Sequence, residues 1–201
     1  MTKLRTIRIA ICLLWLVMVG VGFALVLRYE NTPGGEGEIT SRWPAETALK
    51  LDSGHANLIL FAHPQCPCTR ATIEELNRLL ARTKTKVHTQ VWFFQPTNFP
   101  ASWSRSDLWR SAERIPGLTV QADVDGREAK LFGAETSGSV LLYDAKGQLL
   151  FKGGITSGRG HMGDNAGESS IAALLDGKSP ALNETPVYGC SMLSCERGQN
   201  P

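Results

Sequence analysis

Several features are scarce in this chain of 201 residues. It has no run of basic residues with aromatics set between them, so the footprint of a nucleic-acid binder is missing. It has no internal repeat and no low-complexity tract, which excludes solenoids and propellers. Residues 9–27, IAICLLWLVMVGVGFALVL, carry no charge and no strongly polar group. A helix over that stretch is about 28 Å long, close to the hydrocarbon thickness of a bilayer. It is apolar on every side, unlike the one-sided helices of a small domain. The expectation is a membrane-spanning anchor over 9–28 that binds the lipid bilayer directly. No A-x-A-like cleavage site follows, and the apolar run exceeds the core of a usual signal peptide. Cys12 lies near the start of the run and not at its end, which argues against a lipid-modified cysteine.

Charge sets the orientation. Lys3, Arg5 and Arg8 precede the apolar run, while Arg28 and Glu30 follow it and cancel. The positive-inside rule places residues 1–8 in the cytoplasm and the rest of the chain outside it. Residues 29–43 are rich in Gly, Glu and Thr and read as a flexible linker. A domain of ordinary size is expected over 44–180, followed by a cysteine-containing tail over 181–201. Four of the 21 basic residues and none of the 19 acidic ones fall in 1–28, so the remainder has a formal net charge of −2.

Within the domain, periodicity predicts strands over 57–63 (NLILFAH), 87–94 (VHTQVWFF) and 118–123 (LTVQAD), then a hairpin over 139–154. Helices are predicted over 69–82, 105–115, 126–133 and 168–178. In TRATIEELNRLLAR, Ile73, Leu76, Leu79 and Leu80 line one face and charges the other. The order β-α-β-α-β-α-β-β-α predicts an α/β sheet, parallel on one side and antiparallel at the hairpin. HPQCPCTRA, residues 63–71, then falls at the carboxyl end of the first strand, where open α/β sheets build their sites.

These residues resemble a thioredoxin-like fold. LILFAH, the cysteine loop, TRATIEELNRLL, VHTQVWFF and the later LFGAETSGSVLLYDAKGQLLFKGGIT match membrane-tethered thioredoxins of the TlpA and ResA type over about 57–177. His-Pro-x-Cys-Pro-Cys and Gly-His-x-Gly-Asp-Asn also resemble the small bacterial RedB group. The resemblance implies an oxidoreductase in the cytoplasmic membrane of a bacterium, its domain in the periplasm, exchanging thiols and disulfides with a protein partner. The chain departs from the pattern in three places. Its cysteines are spaced Cys66-x-Cys68, Gly138 or Ser139 stands where a cis-proline is expected, and NLILFAH holds no acidic residue.

Outside the anchor the cysteines are Cys66, Cys68, Cys190 and Cys195. Pro67 suits a first helical position, which would put Cys66 at the N-cap with its sulfur at the positive end of the helix. Such a site favours thiolate, so Cys66 is expected to attack and Cys68 to resolve, with no cofactor. His63 reads either as a general base beside Cys66 or as a loop residue. The rival reading is copper binding of the Sco type, with Cys66, Cys68 and His161 as soft ligands. A third is a thioredoxin-like module that only binds a partner. Cys190 and Cys195 either bridge each other or let Cys190 reach back to Cys66 or Cys68. Gly158-x-Gly160-x-x-Gly163 has the form of a dinucleotide fingerprint but lacks its βαβ setting and acidic residue. It reads instead as a loop that presents His161, with Asp164 or Asn165 capping the last helix. Phe94, Phe99 and Trp103 either line a groove or pack into the core.

Overall fold

The structure, a computed structural model, describes residues 2–35 and 37–193. They form two units, divided between Thr32 and Pro33. The first is helix α1, Thr2–Glu30. Its apolar side chains are exposed along its whole length, and it is long and apolar enough to cross a membrane.

The second unit is built on a five-stranded sheet. Strands β1 (Ala56–Ala62), β2 (Val87–Gln95), β3 (Leu118–Val124), β4 (Ser139–Tyr143) and β5 (Leu149–Gly153) lie in the order β3-β2-β1-β4-β5. β1 pairs parallel with β2 and β2 with β3, while β4 runs antiparallel to both β1 and β5. The parallel pairs are joined through helices α2 (Thr69–Arg82) and α3 (Asp107–Glu113). Helix α4 (Arg127–Phe132) precedes the hairpin, and α5 (Ala166–Leu175) closes the unit.

β1 is buried on both faces, which is why it reads as a continuous apolar run and not as an alternation. Leu58, Leu60 and Ala62 pack with Ile73, Leu76 and Leu79 of α2, with Trp109 of α3 and with Ile171 of α5. Ile59 and Phe61 point the other way, into Leu49, Trp92, Phe94, Phe132, Tyr143 and Met192. α2 has the bounds that its periodicity predicts. α5 starts two residues earlier than predicted because Asn165 caps it, its Oδ1 accepting from Glu168 N at 2.8 Å. A buried charge caps α4: the Asp123 carboxylate accepts Glu128 N at 2.8 Å and Ala129 N at 2.9 Å.

Of the stretch read as a flexible linker, 29–43, the described residues from Gly34 on pack within the second unit. α1 runs on to Glu30. From Gly34 the backbone is bonded to the second unit, with Gly34 N donating to Val187 O at 2.8 Å and Thr136 Oγ1 to Gly35 O at 2.8 Å. Tyr143 Oη donates to Thr40 O at 2.8 Å. Trp43 stands edge-on to Phe132 and Tyr143, 5.3 Å from each ring centre. Composition misled here because these glycines serve close approach and not mobility. A side chain on Gly37 would run into the carbonyl of Gly133.

Two outcomes follow for stability, measured on the full chain in detergent. Burial raises the Asp123 carboxyl to about 6 from its ordinary 3.8, against the pull of its two N–H donors. The unfolded chain therefore ionises first as pH rises, and this group's contribution is lost between pH about 4 and about 6, by about 3 kcal/mol. Urea unfolding at pH 4 and pH 7 should show that loss in the wild type and a flatter profile in Asp123→Asn. Phe132→Ala, which empties a fully buried site beneath Trp43, should cost about 3–5 kcal/mol in the same assay.

Candidate functional site

β1 ends at Ala62 and the chain turns at once through His63, Pro64, Gln65, Cys66, Pro67 and Cys68 into α2. The turn is wound in steps of three residues. Cys66 N donates to His63 O at 3.1 Å, Thr69 N to Cys66 O at 3.1 Å and Arg70 N to Pro67 O at 3.3 Å. The N-cap of α2 is consequently Cys68, two residues beyond the expected Cys66. Cys66 nonetheless takes the benefit of the helix start, because the Thr69 N–H and hydroxyl both favour its anion.

The segment 136–138, between α4 and β4, is stapled onto this loop. His63 N donates to Ser137 Oγ at 2.7 Å, and Ser137 Oγ is 2.6 Å from Thr69 Oγ1. Gly138, where a cis-proline was expected, has φ +97°, and its N–H donates to Phe61 O at 2.8 Å. The chain's own tail lies along the other side of the same segment. Ser137 N donates to Cys190 O at 2.8 Å, Thr136 and Ser191 form an antiparallel bridge, and Met192 N donates to Glu135 O at 2.8 Å.

This pairing brings Cys190 Sγ to 3.0 Å from Cys66 Sγ, and Cys190 N donates to Cys66 Sγ at 3.4 Å. Cys66 also accepts the Cys190 N–H, and the electrostatics of the site favour the anion on Cys66 and the shared proton on Cys190. The Cys190 thiol is the largest influence that lowers Cys66, from an ordinary value near 9 to about 4, against the opposing effect of burial. Cys190 is correspondingly pushed up by the anion it serves and by burial. Cys68 is raised too, first by burial and then by the Cys66 anion, with Arg159 pulling the other way. The site is thus one thiolate, two thiols and a guanidinium, with Cys66 itself buried.

His63 is buried, its ring stacked on Phe94 at 5.8 Å and edge-on to Trp103 at 5.5 Å. Its Nδ1 accepts from Gln65 N at 3.2 Å, and burial lowers its pKa, so the ring is neutral near pH 7. Phe94 is core, whereas Phe99 and Trp103 are half-buried and stack on each other. His161 sits exposed on the 157–165 loop. Among the described residues no group of three or more His, Cys, Asp or Glu side chains is placed to hold an ion, so no ligand set is assembled from Cys66, Cys68 and His161. Cys195 lies outside the described residues.

Two site residues were not singled out by sequence. Ser137 belongs to TSGSV, a stretch noticed only for its missing proline. Arg159 belongs to the glycine-rich loop, where His161 drew the attention; its guanidinium bonds to the Gly189 carbonyl and its charge acts on both Cys68 and Cys190.

The sequence matches no protein-family model and no curated protein. Solved structures do match. A hypothetical protein from Sinorhizobium meliloti 1021 is 20% identical over 81% of this chain and 94% of its own, with a TM-score of 0.54. An uncharacterized conserved protein from Geobacillus kaustophilus is 18% identical over 81% of this chain and 92% of its own, with a TM-score of 0.55. A secreted Mycobacterium tuberculosis disulfide oxidoreductase homologous to E. coli DsbE is 12% identical over 63% of this chain and 84% of its own, with a TM-score of 0.46. The first two are likenesses of fold. With the sheet order β3-β2-β1-β4-β5 and a cysteine loop between β1 and α2, the chain is an α/β protein of thioredoxin-like fold.

Proposed function

We propose that this chain is a thiol–disulfide oxidoreductase that acts on a protein substrate, with Cys66 as its nucleophile. It is of the membrane-tethered TlpA and ResA type, and it also resembles the bacterial RedB group. α1 holds it in the cytoplasmic membrane of a bacterium, and the domain works in the periplasm. The observation that carries the reading is the state of Cys66. A free thiol is only a few per cent thiolate at pH 7 and is a weak nucleophile to that extent. At about 4, Cys66 is ionised throughout the physiological range. Two of its four donors are backbone N–H groups, of Cys190 and Thr69, set in place before a substrate disulfide arrives.

His63 does not serve as the base in this scheme. Its Nδ1 is occupied by the Gln65 N–H, and Cys66 is already deprotonated. Its place is to wall the loop together with Phe94 and Trp103.

Two measurements check the reading. The rate at which iodoacetamide alkylates Cys66 in the reduced full chain should rise with a midpoint near pH 4 and stay flat from pH 6 to 8. A midpoint near 8 would show an ordinary thiol and remove the basis of the proposal. Cys66→Ser should lower the rate of insulin-disulfide reduction by about a thousandfold or more, since the nucleophile itself is gone. Undiminished activity would move the chemistry elsewhere.

A further inference from the structure

A sulfur from the tail, outside the Cys-Pro-Cys loop, meets Cys66. Cys190 Sγ stands 3.0 Å from Cys66 Sγ, from a position 124 residues further along the chain. A disulfide measures about 2.05 Å, so a movement of about 1 Å joins the two.

That nearness is built by the backbone on both sides of Cys190. Its carbonyl accepts Ser137 N at 2.8 Å, and two residues on Met192 N donates to Glu135 O at 2.8 Å. The Met192 side chain is wholly buried in the core beside Phe61 and Phe132. Upstream, Val187 O accepts Gly34 N at 2.8 Å, and the Gly189 carbonyl accepts from Arg159. Gly189 has no side chain where one would strike the Ser137 carbonyl, so the tail can lie this close only with glycine at that position. The tail is therefore an irregular segment laid on the domain in strand-like contacts, bridged at Ser191 to Thr136, with its thiol aimed at Cys66.

Cys68 is placed less well. It is two residues from Cys66 in a helical turn, with φ −65° and ψ −31°, and its carbonyl accepts Ala71 N at 3.2 Å. Its thiol also interacts with the Cys66 sulfur, but from within the same helical turn. Linking Cys66 to Cys68 would unwind the start of α2, whereas linking Cys66 to Cys190 leaves α2 untouched.

We propose that Cys190 is the redox partner of Cys66, so that the exchange pair is formed between the active-site loop and the C-terminal tail. This deepens the reading of the chain as an oxidoreductase and rests on it. The Cys66 thiolate attacks one sulfur of a substrate disulfide, forming a mixed disulfide and releasing the other sulfur as a thiolate, which takes a proton from water. Cys190 then gives up its proton and attacks Cys66 Sγ. The Cys66–Cys190 bond forms, the mixed disulfide breaks, and the departing substrate sulfur takes the proton. The substrate disulfide is reduced to two thiols and the two protein thiols are oxidised to one disulfide. The same steps in reverse oxidise a substrate dithiol. In either direction the oxidised protein has its tail covalently fastened over the nucleophile, and the reduced protein holds it only by hydrogen bonds and packing.

The test is a disulfide map of the full chain in detergent micelles, equilibrated in glutathione redox buffer, quenched with N-ethylmaleimide, digested and read by mass spectrometry. The peptide holding Cys66 should be joined to the peptide holding Cys190 in the wild type and in Cys68→Ser, and not in Cys190→Ser. A dominant Cys66–Cys68 or Cys190–Cys195 linkage in the wild type overturns the proposal. Gly189→Val keeps every thiol but drives the tail off Ser137, and should slow formation of the Cys66–Cys190 linkage by about tenfold to a hundredfold. A wild-type rate in that variant overturns the role of the tail. The map needs no turnover, so a wild type that carries the linkage yet fails to reduce insulin supports the pair and overturns the oxidoreductase reading instead.

Discussion

One hydroxyl ties the site together. Ser137 Oγ accepts the His63 N–H and meets the Thr69 hydroxyl, so it fixes both ends of the cysteine loop. The N–H of the same residue holds the Cys190 carbonyl. Three segments far apart in sequence, the loop after β1, the start of α2 and the C-terminal tail, are therefore referred to a single residue. Ser137 is itself buried, and the next residue is bonded to the end of β1 through the Phe61 carbonyl. Loss of the hydroxyl would leave the His63 N–H without its acceptor in a place that water does not reach, which is the expensive way to lose a hydrogen bond.

The electrostatics of the site depend on that geometry. Burial alone drives a thiol away from ionisation, and it does so for Cys68 and Cys190. Cys66 goes the other way because four donors converge on it: the Cys190 thiol and N–H, and the Thr69 hydroxyl and N–H. Two of them come from the tail, which is held at the site by Ser137 and its neighbours, by Arg159 and by Gly34. The thiolate is thus a product of tertiary structure and not of the Cys-Pro-Cys sequence. The same loop in an unfolded chain, or with the tail removed, would lose the donor that acts most strongly on it.

Local features were legible in the sequence and non-local ones were not. The bounds of α2 followed from the spacing of Ile73, Leu76 and Leu79 against Arg70, Arg78 and Arg82. The placing of Cys66 between a buried strand and a helix followed from Pro64, Pro67 and the apolar run before them. The contacts that give Cys66 its character span 68, 74 and 124 residues, and no pattern in one segment announces them. Glycine was the residue most easily misjudged. Composition cannot separate a glycine that frees a linker from one that lets segments pack closely, and Gly34, against the Thr136 side chain, and Gly37 and Gly189, each against a backbone carbonyl, are all of the second kind. The cap of α5 was narrowed to two candidates by sequence, and the bond from Glu168 N singles out Asn165.

The laid-down segment after α1 moves the edge of the domain. Gly35, Gly37 and Ile39 share one small cavity with Gly133, Glu135 and Val187, so the residues before 44 form one wall of the slot in which the tail lies. A soluble form trimmed at residue 44 would look complete by composition, yet it would lack that wall and the Gly34 bond to Val187. The second unit starts at Pro33, and a piece cut there keeps both that wall and the Gly34 bond.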